Sequence, residues 1–247
     1  MAFEFKSLLS AKAVAKADPF TGYPPYHFVG GNIDEPTVPV EALANTVDKV
    51  IRTNGHNLAK YGLNSGPQGH LPLREFICDC LKKRSEIAAK PQEILLTSGS
   101  LQAMDLVNTA LLSEGDVVLL EAANYAGTLT RLDAIGVEYV GVELDSDGMR
   151  MDALDRSLTE LAEAGRKPKY IYTIPTIQNP TGSVMPLERR LEMLTLAKAH
   201  NVPIFEDDCY ADLTFSGERP PAIYALDNDQ RVVYCGTFSK TIAPALR

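Results

Sequence analysis

From residue 93 onward the chain repeats one unit, a short apolar run followed by a longer amphipathic stretch. EILLT (93–97), VVLLE (117–121), VEYVGVEL (137–144), YIYTI (170–174), VPIFEDD (202–208) and RVVYCG (231–236) read as strands. The stretches at about 100–112, 126–135, 152–164 and 187–200 read as helices. This alternation leaves few folds open. Strands that are apolar throughout need cover on both faces, and helical crossovers make neighbouring strands parallel. The fold class is therefore α/β, a mostly parallel sheet with helices on both faces. Sheets of this kind hold ligands at the carboxyl ends of their strands. Functional residues are sought there.

Upstream the pattern is different. FTGYPPYHFVGGNIDEPTVP is too rich in turn residues for a long helix and reads as an irregular arm. A helix is expected at 40–54, where Val40, Leu43, Val47 and Val50/Ile51 recur at helical spacing. YGLNSGPQGHLPLRE then forms a loop leading into a helix at about 71–84, with Pro72 tolerated near its start.

Composition narrows the function classes. With 45% apolar and 23% charged residues the chain can bury a core, which excludes wholesale disorder. A net charge of −8 without a Lys/Arg run is a poor footprint for nucleic acid or an anionic membrane. Cys78, Cys80, Cys209 and Cys235 show neither CxxC nor zinc spacing with the four histidines, so no metal site is expected. No run is long and apolar enough to span a membrane, and Lys6, Lys12 and Lys16 interrupt the N-terminal apolar stretch. A reducing, cytoplasmic setting is expected.

Thr97-Ser98-Gly99-Ser100-Leu101-Gln102 opens a helix after the first strand and suits either a phosphate cradle or an ordinary serine cap. Tyr125, past the second strand, can stack on a flat ring or simply pack. Asn179-Pro180-Thr181-Gly182, past the fourth, is a turn whose asparagine offers a donor amide. Glu206, Asp207 and Asp208 end the fifth strand; burying three carboxylates calls for a cation, either a metal or a protonated ring nitrogen, and Tyr210 follows. Thr237-Phe238-Ser239-Lys240 ends the sixth. A lysine desolvated there loses affinity for its proton and becomes a base and a Schiff-base former. Arg247, seven residues on, presents a fork suited to phosphate.

In this order and spacing the set resembles the pyridoxal-phosphate-dependent aminotransferases of class I/II. Tyr61–Glu75 is similar to that family's interface loop. GSLQAMDL, EDDCY and GTFSKTIAPALR are most similar to the subgroup acting on 2-aminoadipate, kynurenine and aromatic or branched amino acids. The resemblance implies an arm at 1–40 and an aspartate-aminotransferase-like large domain at 41–247. Amino groups would pass between an amino acid and a 2-oxo acid such as 2-oxoglutarate. Lys240 would carry pyridoxal phosphate as an internal aldimine and shuttle a proton. Asp207, rather than Asp208, would pair with the ring nitrogen. Asn179 and Tyr210 would bond the ring hydroxyl, and Tyr125 would stack on the ring.

By the same resemblance Ser100, Leu101, Gln102, Thr237, Ser239 and Arg247 would surround the phosphate. Tyr61 would reach the phosphate of the second subunit of a homodimer, and Gly31, with Asn179, would lie near the substrate. The family's small C-terminal domain and carboxylate-binding arginine are expected beyond Arg247, so the chain is expected to be an incomplete catalyst. Three other readings compete. One is another pyridoxal-phosphate enzyme of this fold: a C–S lyase, decarboxylase or cyclopropane-carboxylate synthase. Another is a cofactor-binding regulatory domain, which needs a basic helix-turn-helix not found after Met1. The last is a metal hydrolase on Glu206, Asp207 and Asp208, which lacks nearby histidines.

Overall fold

Val117–Glu121 (β1) is buried at every position, as a strand with both faces covered must be. The computed structural model of the chain describes residues 8–9, 20–26, 30–215 and 217–246. Beside β1 lie Glu138–Val142 (β2), Ile171–Thr173 (β5), Ile204–Asp207 (β6) and Val232–Cys235 (β7). The five form one sheet in the order β2-β1-β5-β6-β7, and every pairing is parallel. Leu144–Asp145 (β3) and Gly148–Met149 (β4) make a small antiparallel hairpin apart from it.

Side chains alternate along a strand, and the two faces of the sheet bury separate cores. Val117, Leu119, Ile171, Ile204 and Val232 join one, packed on Met151–Glu163 (α5) and Leu187–Ala199 (α6) through Leu154, Leu158 and Met193. Val118, Leu120, Tyr172, Phe205 and Cys235 join the other, packed on Ser100–Leu111 (α3) and Ala126–Ile135 (α4) through Met104 and Leu132. Each fully buried Leu or Ile here contributes about 1.5–3 kcal/mol. Tyr172 meets Phe205 edge to face, with ring centres 5.5 Å apart.

Val40–Asn54 (α1) and Leu71–Ser85 (α2) precede the sheet, and Ile223–Leu226 (α7) lies between β6 and β7. α1 has no buried residue; Val40, Val47, Val50 and Ile51 are all exposed on it. Among the described residues no helix is long and apolar enough to cross a membrane, and all four cysteines are free.

The alternation of strands and helices stands, with four corrections. EILLT is extended at Ile94 (φ −99°, ψ 127°), but its backbone bonds include Leu96 N to Gln68 O and no ladder, so it is no strand among the described residues. The run at 137–144 divides, because the chain leaves the sheet after Val142 to form the β3–β4 hairpin. The last two strands are shorter than expected, β6 ending at Asp207 and β7 at Cys235. Lys240 therefore does not end a buried strand. It stands half-buried in a turn closed by Thr241 N and Ile242 N on Phe238 O.

Candidate active site

The chain passes from β1 outward to β2 and later returns to β5 on the other side of β1. Loops leaving β1 and β5 thus diverge, and such a switch point opens a crevice at the strands' carboxyl ends. Tyr125 leaves β1, Asn179 leaves β5, Tyr210 leaves β6 and Lys240 leaves β7.

Period-two alternation decides how the three consecutive carboxylates diverge. Phe205 and Asp207 share the Tyr172 face of β6, whereas Glu206 lies on the Ile204 face. Asp207 Oδ2 accepts from Tyr172 Oη at 2.7 Å, and Tyr172 Oη accepts from Thr128 Oγ1 at 3.1 Å. Asp207 Oδ1 is buried without a hydrogen-bond partner. Glu206 accepts from the N–H groups of Ile223 (2.8 Å) and Tyr224 (2.9 Å), with the buried Arg190 3.9 Å away. Asp208 Oδ2 accepts from Arg219 Nη2 at 2.5 Å and from Tyr234 Oη at 2.8 Å. Three carboxylates with three separate sets of partners do not make a metal cluster. Asp207 and Asp208 each keep Oδ1 buried without a hydrogen-bond partner; of the two, only Asp207 lies on the Tyr172 face of the sheet.

Tyr210 links the remaining groups. Its Oη accepts from Asn179 Nδ2 at 3.3 Å, and Lys240 Nζ stands 5.6 Å from its ring centre. Lys240 Nζ donates to Gly31 O at 2.9 Å. Gly31 has φ +57°, and a Cβ built on it would lie 2.8 Å from Nζ. The left-handed φ favours glycine, and a side chain there would also have to displace the Lys240 amine. Asn179 precedes a cis proline, and Gln178 braces its loop by donating from Nε2 to Ala123 O (2.7 Å) and accepting at Oε1 from Thr181. The Tyr125 loop is tied down similarly: Tyr125 N donates to Asn124 Oδ1, and Asn124 Nδ2 donates to the buried Glu121.

At the far edge, α3 packs beside β7. The cap of α3 is Gly99 (φ +84°) with no side-chain cap bond, which removes the reading of a serine cap. The N–H groups of Ser100 and Leu101 open the helix and have no acceptor within it. Gln102 Oε1 accepts from Ser98 N, while Thr237 Oγ1 donates to Ser239 Oγ at 3.0 Å. Tyr61 is not brought to this set, being fully exposed on a 3₁₀ turn. Arg247 lies outside the described residues.

Sequence reasoning missed Tyr172, Thr128, Glu121 and Arg219. Tyr172 had a signal, a lone hydroxyl on the face of β5 that Asp207 shares; Arg219 had none.

Burial pushes the Asp207 carboxyl up to about 6 against bonds from Tyr172 and the Cys209 thiol. It pushes Glu121 up to about 7 against bonds from Thr173 and Ile174, and Glu206 up to about 7, aided by Asp208. All three move above the unfolded values of about 4, so the native state binds more protons over that interval. Their stabilisation is complete below about pH 4 and is lost as pH rises through 7. The thermal midpoint of the ligand-free protein is expected to fall between pH 5 and pH 8. A midpoint that rises over that interval contradicts these assignments.

The family described as aminotransferase class I and II matches residues 31–245. Aromatic-amino-acid aminotransferase 1 of Thermococcus litoralis is 37% identical over 220 residues, 89% of this chain and 52% of that protein. The Bacillus subtilis protein named uncharacterized HTH-type transcriptional regulator YisV is 34% identical over 83% of this chain and 41% of its own length. The crystal structure of Pyrococcus horikoshii kynurenine aminotransferase, in complex with PMP and with kynurenine as a substrate, is 38% identical. It superposes with a TM-score of 0.81 over 87% of this chain and 52% of that one. The chain spans about half the length of these proteins.

Proposed function

The chain belongs to the class I and II aminotransferase family, and we propose that it forms the cofactor-binding part of a pyridoxal-phosphate-dependent aminotransferase. The enzyme moves an amino group between an aromatic, 2-aminoadipate-like or branched amino acid and a 2-oxo acid such as 2-oxoglutarate. Residues 1–40 act as an arm and 41–247 as the cofactor-binding domain.

One observation carries the reading: Asp207, held through Oδ2 by Tyr172, keeps Oδ1 buried and without a partner. Asp208, with the same unused oxygen, already has its charge paired with Arg219. Burial raises the proton affinity of the Asp207 carboxylate, and such a group calls for a cation or donor. A pyridine nitrogen supplies one. The other groups also fit the cofactor. Asn179 Nδ2 and Tyr210 Oη are donors for a ring hydroxyl, Tyr125 offers an aromatic face, and Lys240 offers the amine that carries the cofactor. The hydroxyls of Ser100, Thr237 and Ser239 fit a phosphate, as do the N–H groups opening α3 and Arg247.

Bound pyridoxal phosphate supplies an aldehyde carbon and a conjugated ring that accepts electrons from the substrate Cα. The protein's own groups do the rest. Asp207 Oδ1 holds the proton on the ring nitrogen, and Tyr172 holds Asp207 through Oδ2. Lys240 Nζ would take a proton from the substrate Cα and deliver it to the cofactor's former aldehyde carbon. Gly31 leaves room beside Nζ for the substrate.

Exposed apolar residues along α1 and the exposed Tyr61 support a homodimer with shared sites, in which Tyr61 completes the partner's phosphate site. Free cysteines fit a reducing cytoplasm. A second reading, a cofactor-binding sensor, is favoured by the likeness to YisV.

The test is to incubate the cofactor-loaded protein, with the family's small C-terminal domain attached, with 2-oxoglutarate and a panel of aromatic, branched and 2-aminoadipate donors. Catalytic formation of glutamate and the donor's 2-oxo acid is expected from it; residues 1–247 alone are expected to bind the cofactor with little or no turnover. Binding without turnover across the panel by the longer protein favours the sensor, and release of pyruvate, carbon dioxide or a thiol identifies a different pyridoxal-phosphate enzyme.

A further inference from the structure

Gly127 stands at the second position of α4, two residues after Tyr125, which caps that helix. A Cβ built on Gly127 would lie 2.4 Å from Tyr125 Cε1, 2.7 Å from Cζ and 2.9 Å from Oη. The hydroxyl-bearing end of the phenol therefore occupies the space that a side chain at 127 would fill. No side chain can be added at 127 while the ring stays there.

The backbone on both sides is fixed. Tyr125 N donates to Asn124 Oδ1, and Tyr125 O accepts from Thr128 N at 3.0 Å and Leu129 N at 3.4 Å. Gly127 is helical and has no positive φ, so glycine is not needed for the backbone's sake. Within a helix glycine is in fact less favourable than alanine.

We propose that Gly127 is a positioning residue: its missing side chain seats the Tyr125 ring at the crevice, and any larger residue unseats it. The inference rests on the reading above, in which Tyr125 stacks on the cofactor ring. What it adds is the cause of the ring's placement. A helix-favouring substitution at 127 then improves the helix and harms the site, a split that a purely structural role for Gly127 does not produce.

The experiment is a double-mutant cycle on pyridoxal phosphate affinity, with the thermal midpoint of each ligand-free protein measured alongside. Gly127→Ala is expected to leave the midpoint unchanged or raise it, while raising the cofactor Kd up to about tenfold. Gly127→Ser should raise Kd likewise, since the first added atom does the damage. In a Tyr125→Ala background, Gly127→Ala should change Kd less than about twofold. An equal rise in Kd with and without the tyrosine overturns the role of Gly127, as does an unchanged Kd in the Gly127→Ala single variant. If Tyr125→Ala alone leaves Kd unaltered, the stacking assignment fails first and the inference falls with it.

Discussion

Replacing Lys240 by alanine is expected to lower amino-group exchange by about 10²- to 10⁴-fold, the usual worth of a positioned acid–base group. The geometry places a primary amine where no neighbouring group can stand in for it. Nζ lies 2.9 Å from Gly31 O and 5.6 Å from the centre of the Tyr210 ring, on a turn closed through Phe238 O. Gly31 O accepts from the amine, and the phenol of Tyr210 is held further toward its protonated form by burial. Neither is a base. Lys240→Arg sharpens the test, because a guanidinium keeps the charge but does not give up its proton in a protein. It should recover no more than about tenfold over alanine. Steady-state rates with saturating cofactor check both variants; an alanine variant keeping more than a tenth of the rate contradicts the assignment.

The second large effect is expected at Asp207, and its contrast with Asp208 is the informative part. A unit charge pair at about 4 Å and an effective dielectric near 20 is worth roughly 4 kcal/mol. Losing that much at the transition state lowers a rate about 10³-fold. Asp207→Asn keeps the shape and an oxygen for Tyr172, so it should cost the exchange rate about that factor. Stability should hold or rise, because a buried charge is removed. Asp208→Asn should do the reverse. Its charge is paired with Arg219, both side chains being largely buried, and breaking such a pair costs about 3–5 kcal/mol. The folded fraction should keep its rate within about tenfold. Measuring rate and thermal midpoint for both variants checks this. Asp208→Asn proving the slower enzyme would put the strand register one residue out.

That register was legible in the sequence because a strand alternates strictly. Ile204 and Phe205 declare the two faces of β6, and the next pair must follow them. The sheet was legible for the same reason: VVLLE and IFED are apolar runs that only a covered parallel strand explains. EILLT shows the limit, since its composition is strand-like but a ladder needs a neighbour. The support around Asp207 was illegible because its members meet only in the fold: Tyr172 comes from β5, Thr128 from α4, and Arg219 from the segment before α7. Gly127 is intermediate. A glycine in the first turn of a helix is visible in the sequence, but the ring lying on it is not.

Borohydride reduction of the cofactor-loaded protein, followed by peptide mapping, puts the central assignment to its most direct test. Reduction fixes the cofactor to whichever amine carries it, independently of turnover. The label is expected on the peptide containing Ser239, Lys240 and Thr241, and on Lys240 within it. A label on any other lysine, or none on a protein shown to hold the cofactor, would contradict the site described here.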